Sequence, residues 1–355
     1  MSGAFGWHHN DQSHQSPTQV INSGFKDAAR AYHSPLPVPT GASGHKATHI
    51  GPDTTPVPPP RQSFYQAAST TKLPIPTGTH SLKSTAANVL IVVTDVTGSM
   101  GENPAEIFRR LPLMYEEACT LLGNHDLEIL FVAHGDARTD THAVQVARFG
   151  RGSELDALLT SFSLTCGGGG QGSETPELVA YYLLRQVDTS SAQNVYVWFV
   201  TDEAGCETLQ PHLVREWLDL DLEPEYAQTA TVFAVLRRKM HTFVILFDTG
   251  YYLSEPDKHR KIRPYWERVL GSAESVVPLR DARRLVDVML GTIAVMTGQL
   301  ALFTGTLKSR QMPTRHGSQN VANVLQSIAL VGRGTLSAPH VLKAKTRPLL
   351  PGSKN

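Results

Sequence analysis

Net charge is the first thing this chain of 355 residues lacks: 32 Lys and Arg stand against 32 Asp and Glu. No overall field therefore draws it toward nucleic acid or an anionic membrane surface. Cysteine is scarce as well. Cys119, Cys166 and Cys206 are odd in number and far apart, with no CxxC pair, so neither a disulfide framework nor a zinc site is expected and a reducing, cytoplasmic setting fits. The first residues, MSGAFGWHHNDQ, have no basic region followed by an apolar core, which speaks against a secretory signal. Long apolar runs are missing except for Leu285 to Phe303. Asp287 and Gln299 interrupt that run and Arg280, Arg283 and Arg284 precede it, so it reads as the last helix of a soluble domain and no membrane span is expected.

What is present changes in texture along the chain. Residues 1–85 are rich in Pro, Ser, Thr, His and Gly, with Pro35-x-Pro37-x-Pro39 and Pro58-Pro59-Pro60, and carry no sustained apolar period. Such a segment cannot bury a core and is expected to be a disordered tail. Its scattered histidines follow no metal-ligand spacing. From Ala86 onward, strand-like and helix-like blocks alternate, the pattern of an α/β domain with a mostly parallel sheet. The domain is expected to span 86–307, and 308–355 to be mostly irregular apart from an amphipathic turn or two between Val321 and Leu330.

Within the domain, Val89 to Val93 have the length and β-branched content of a buried strand. A helix follows from Glu102-Asn103-Pro104, with Pro112 placed to kink it. Leu127 to His134 reads as a second strand and Ala143 to Phe149 as an edge strand returning from a turn at Gly135-Asp136-Ala137. Ser153 precedes a short helix, and a glycine-rich loop from Cys166 leads into a helix at Glu177 to Gln186. Val195 to Thr201 and Lys239 to Phe247 are further strands, each ending in an aspartate, Asp202 and Asp248. Helices are expected at Leu209 to Leu218 and Tyr265 to Leu270, an edge strand at Val276 to Leu279, and one closing helix from Asp281 to about Leu307.

The chemistry concentrates where the first strand ends, in Asp95-Val96-Thr97-Gly98-Ser99. One carboxylate and two hydroxyls at alternate positions are hard oxygen donors of the kind Mg²⁺ takes, and strand ends are where open α/β sheets bind ligands. The first and fourth strands are expected to lie close, so that Asp202 joins Asp95, Thr97 and Ser99. The glycine-rich loop is the third arm and offers Ser173, Glu174 and Thr175, of which Glu174 is favoured and Thr175 is next.

Asp95-Val96-Thr97-Gly98-Ser99 resembles the DxSxS element of von Willebrand factor A domains, with Thr in place of the first Ser. The loop at 167–177 and the Val200-Thr201-Asp202-Glu203 string resemble that family's second and third metal-binding loops, and the likeness spans about residues 86–305. The Glu174-Thr175-Pro176-Glu177 string is similar to that of some bacterial members, so an intracellular prokaryotic or phage type is closest. The resemblance implies a doubly wound, Rossmann-like fold with helices on both faces of the sheet. It also implies a metal-ion-dependent adhesion site in which Thr97 and Ser99 bind Mg²⁺ directly, with Asp95 and Asp202 direct or through water; Mn²⁺ or Ca²⁺ could substitute.

The function implied is non-enzymatic: the bound cation keeps one coordination position for an Asp or Glu of a partner protein, such as an ATPase or assembly factor. The alternative is a metal-dependent hydrolase, a phosphatase or nucleotidase, using the same site. A dehalogenase-type phosphatase needs a second Asp where Thr97 stands, and Gly98-x-x-Gly101 lacks both the P-loop ending and the dinucleotide fingerprint. Ser99 as nucleophile would need His134 as its base.

Overall fold

The computed structural model describes residues 82–164, 173–247 and 256–333. The expected N-terminal tail up to residue 81, the glycines Gly167 to Gly170, Asp248 and residues 334–355 lie outside them.

The run Asn88–Asp95 forms strand β2, after a short β1 at Leu82–Lys83. Every residue of β2 is buried, as a strand covered on both faces requires, and this is why its apolar residues run on without alternation. Helix α1 (Asn103–Arg110) follows, then a tight turn at Leu111–Leu113 around Pro112, then α2 (Met114–Leu122). Strand β3 (Leu127–His134) leads to the short β4 (Val144–Val146) and α3 (Glu154–Thr160). Beyond the glycine-rich segment come α4 (Pro176–Gln186), β5 (Val187–Asp188) and β6 (Asn194–Thr201). The chain continues through α5 (Pro211–Leu218), α6 (Thr229–Lys239), β7 (His241–Phe247), α7 (Pro256–Leu270) and β8 (Val276–Leu279). It ends in α8 (Leu285–Met296), α9 (Leu300–Gln311) and α10 (Gly317–Ser327).

Six strands make one sheet in the order β4-β3-β2-β6-β7-β8, and β1 pairs separately with β5. All neighbours in the large sheet are parallel except β4, which returns antiparallel along β3. From β2 the chain first adds β3 and β4 on one side, then crosses to add β6, β7 and β8 on the other. The boundary between β2 and β6 is therefore the place where the winding direction reverses, the position at which open α/β sheets generally bind ligands.

Successive side chains of a strand point to opposite faces. Leu90, Val92, Ile129, Phe131, Tyr196 and Trp198 accordingly pack with α1, α2 and α8 in one apolar cluster. Val89, Ile91, Val93, Leu130, Val132, Val197 and Phe199 pack with α4, α5, α6 and α7 in the other.

Several boundaries differ from those read in the sequence: the helix expected at Tyr265 to Leu270 begins at Pro256, and the edge strand expected at Ala143 to Phe149 is confined to Val144–Val146. Residues 82–85 are not part of a disordered tail, because Leu82 and Lys83 pair with Val187 and Asp188. The single closing helix is two. Gly298 adopts φ +71, a left-handed conformation that glycine alone takes without strain, and the chain closes α8 with the paired bonds Gly298 N–H to Val295 O and Gln299 N–H to Ala294 O.

Residues 308–327 are not irregular: α9 and α10 fold back, burying Phe303, Leu307, Val321 and Val324 against α8. Asp287 explains part of this. It is fully buried in an apolar helix and accepts from Arg310 (2.9 Å), Gln311 (3.2 Å) and Arg284 (3.2 Å), so the charge that argued against a membrane span is held by the segment expected to be loose. Among the described residues no helix is long and apolar enough to cross a membrane.

Candidate metal centre

The reversal point between β2 and β6 carries the oxygen-rich residues. Asp95 is the last residue of β2, fully buried. Beyond it the chain turns sharply through Gly98–Met100, so that side chains two residues apart swing to one side. The Asp95 carboxylate accepts at Oδ1 from the Thr97 amide (2.9 Å) and the Thr97 hydroxyl (2.7 Å). The Ser99 hydroxyl donates to Asp202 Oδ1 at 2.9 Å, crossing from the β2 turn to the β6 turn. Thr97 Oγ1 and Ser99 Oγ lie 3.1 Å apart. The two hydroxyls are thus within hydrogen-bond distance of each other, and either can donate.

The sheet register makes this meeting possible. Thr94 stands opposite Val200 and Asp95 opposite His134, so β2 and β6 end at the same level and their turns start side by side. Thr201, the residue after Val200, donates its hydroxyl to Asp95 Oδ2 at 2.9 Å. In the sequence, Thr201 and Glu203 stand out only as part of the string around Asp202, with no role of their own. The signal was a hydroxyl ending an otherwise apolar strand, and a second acid directly after Asp202.

The third arm enters at Ser173 to Thr175. Arg138 holds its start: the guanidinium grips Asp136 (2.7 and 3.0 Å) and reaches the Ser173 carbonyl and hydroxyl. The Glu174 amide donates to Ala204 O at 3.0 Å, which joins this arm to the β6 turn. The Glu174 side chain is 6% exposed and its Oε2 is buried without a hydrogen-bond partner. The Thr175 hydroxyl donates to Gly135 O (2.9 Å) and accepts from the Ala137 amide (2.9 Å), so it braces the arm against the turn after β3.

Asp136 and Asp140 lie on the same rim. Asp140 Oδ2 accepts from the Asp136 amide at 2.9 Å. A Cβ at Gly135 would come within 2.4 Å of that Asp140 oxygen, so a larger residue there would displace the Asp140 carboxylate.

Burial raises the Glu174 carboxyl strongly above the ordinary range, and Asp95, Glu203, Asp136 and Asp140 push it further in the same direction. Asp202 is raised too, by burial and then by Asp95, against the opposing Ser99 hydrogen bond. Both shifts have one physical origin: carboxylates crowded in a site where water is scarce. Next to it, burial lifts the fully enclosed Glu177 to about 8, although the Cys206 amide donates to it at 3.2 Å.

These donors suit a hard divalent cation. Hydroxyl and carboxylate oxygens are its usual ligands, and an unpartnered buried carboxylate oxygen among like charges is what a cation would neutralise. Among the described residues no group of three or more His, Cys, Asp or Glu side chains is arranged to hold a metal ion.

His134 is fully buried, its two ring nitrogens have no hydrogen-bond partner, and desolvation lowers its basicity. Ser99 bonds instead to Asp202 and contacts Thr97. The Ser–His arrangement that nucleophilic catalysis requires is not assembled.

No protein-family model and no curated protein matches the chain. Solved structures with some likeness include the pilus adhesin SpaC from Lactobacillus rhamnosus GG, at 10% identity and a TM-score of 0.41, over 61% of this chain and 32% of the adhesin. A second structure of SpaC, in an open conformation, gives 11% identity and a TM-score of 0.40, over 61% of this chain and 31% of that one. Proximal thread matrix protein 1 from the mussel byssus gives 11% identity and a TM-score of 0.39, over 60% of this chain and 48% of that protein. The chain thus spans less than half the length of each.

Proposed function

We propose that this protein is a non-enzymatic binding module of the von Willebrand factor A type, with a doubly wound sheet. In this reading a divalent cation, Mg²⁺ in the first instance, is held by Thr97, Ser99, Asp95, Asp202 and Glu174 and completed by an acidic residue of a partner protein. Thr175 serves the site by fixing the arm that carries Glu174. When bound, the cation supplies a concentrated positive charge at which a partner's Asp or Glu is favoured.

The observation that carries the reading is the Thr97–Ser99 pair. Two hydroxyl oxygens 3.1 Å apart, each also within hydrogen-bond reach of a flanking carboxylate, have the spacing of an edge of an octahedron of oxygens, roughly 3 Å for ligands about 2.1 Å from Mg²⁺. The crowding of Asp95, Asp202 and Glu174 supports the same reading, because the folded chain keeps carboxylates together at a cost that a cation would remove.

The test is thermal unfolding and calorimetry of the full chain with Mg²⁺, Mn²⁺ and Ca²⁺, since a ligand that binds only the folded state raises its apparent stability. A rise in melting temperature that saturates, and that Asp95→Ala abolishes, is the expected result. Pull-down of partners in the presence and absence of EDTA tests the second half of the proposal. Binding indifferent to EDTA and to Asp95→Ala overturns it.

A further inference from the structure

Thr201 ends a strand whose preceding residues, Asn194 to Val200, are almost all apolar. Valine at this position would have the same shape and the same preference for a strand; what threonine adds is a hydroxyl, and Thr201 is 1% exposed. A buried hydroxyl is unfavourable unless it is fully partnered. This one is. It donates to Asp95 Oδ2 at 2.9 Å and accepts from the Glu203 amide at 3.1 Å, with the Glu203 carbonyl a further 3.5 Å contact.

Residue parity places Asp95 on the face of β2 shared by Val89, Ile91 and Val93, and Thr201 on the face of β6 shared by Val197 and Phe199. Those faces are the same side of the sheet, and the two residues are cross-strand neighbours one step beyond the Thr94–Val200 pair.

The Asp95 carboxylate is therefore held from two directions. Thr97 binds Oδ1 and Thr201 binds Oδ2. A carboxylate gripped at one oxygen can still rotate about its Cβ–Cγ bond; gripped at both, its plane is fixed. The same Thr201 hydroxyl closes the turn that presents Asp202, so one atom sets the position of both acids relative to each other.

We propose that Thr201 is a positioning residue of the cation site: its hydroxyl locks Asp95 to the Asp202–Glu203 turn and so raises cation affinity without binding the cation. The inference rests on the metal reading of the site.

Calorimetric titration of the full chain with Mg²⁺ tests it, comparing Thr201→Val, which keeps the shape and removes the hydroxyl, with Thr201→Ser, which keeps the hydroxyl. The expected outcome is a loss of about tenfold or more for Val and of no more than about threefold for Ser, as for other groups that orient metal ligands. A Val variant that binds as tightly as the parent, or a folded Ser variant that loses affinity as much as Val, overturns the proposal. Should Val fail to fold, Ser alone decides: affinity kept within about threefold supports the hydroxyl's role, and a loss of about tenfold overturns it. A parent chain that binds no divalent cation removes the metal reading itself, whereas a binding parent with an equally tight Val variant removes only the role of Thr201.

Discussion

Ser99 and Asp202, separated by 103 positions in the chain, are joined by a 2.9 Å hydrogen bond across the point where the sheet reverses its winding. The bond makes two independent turns into one site. It also predicts what its loss does: on the proposed reading Ser99→Ala removes a ligand oxygen, and it takes the 2.9 Å hydrogen bond from Asp202. Mg²⁺ affinity should fall by about tenfold to a hundredfold, with little change in cation-free melting temperature because Ser99 is only half-buried. Calorimetry and thermal unfolding measure the two quantities separately, and unchanged affinity would remove Ser99 from the ligand set.

Glu174→Gln separates charge from shape. Burial and the surrounding acids disfavour the Glu174 charge in the folded chain, so neutralising it should raise the cation-free melting temperature by about 3 °C or more while weakening Mg²⁺ binding about tenfold. Opposite effects on stability and affinity are the signature. A variant less stable without cation would show that Glu174 is stabilised by something other than a cation.

The pH dependence follows from the same crowding. Asp202 and Glu174 take up protons more readily in the folded chain than as free side chains, and Glu177 is raised to about 8. A raised carboxyl contributes stability in full below its unfolded value, near about 4, and loses it as pH climbs through the folded value. Cation-free protein should therefore melt at least about 3 °C lower at pH 8 than at pH 5. Saturating Mg²⁺ should flatten that slope, because the cation stabilises the charged forms. Melting curves across this window that stay level without cation would contradict the account.

Thr175→Val tests the brace. The hydroxyl is fully buried between Gly135 O and the Ala137 amide, and its removal leaves the Ala137 amide without this acceptor and Gly135 O with the longer 3.4 Å bond from the Thr175 amide, at a cost of about 1–3 kcal/mol. Stability, measured by denaturant unfolding, should drop by that amount, and Mg²⁺ affinity should drop less than in Ser99→Ala. An affinity loss as large as that of Ser99→Ala would make Thr175 a ligand.

Much of the framework was legible in advance because its signals are local. The unbroken apolar stretch of β2 marks a strand buried on both faces, the proline at 112 marks the break between α1 and α2, and Asp95-x-Thr97-x-Ser99 marks where its oxygens are aimed. Helix α6 was missed. Its sequence, TATVFAVLRRK, is dense in β-branched residues that weaken a helical signal, and tertiary packing of Val232, Phe233 and Leu236 overrides that tendency. Helix α9 reads in the sequence as the end of one closing helix reaching about Leu307, because the turn at Gly298 that separates it from α8 lies inside a nearly continuous apolar run.

The sequence by itself determined the six strands of the large sheet, the alternation that makes an α/β sheet, and the hard-oxygen character of the turn after β2, since each depends on neighbours a few residues apart. Only the tertiary structure decided which distant groups share that turn: that Thr201 holds the second oxygen of Asp95, that Thr175 faces the β3 turn, and that Glu174 is enclosed among other acids. Those relations are set by the register between strands and by the point of reversal in the sheet. Register is a property of strands paired in space, and a chain written in one dimension does not contain it.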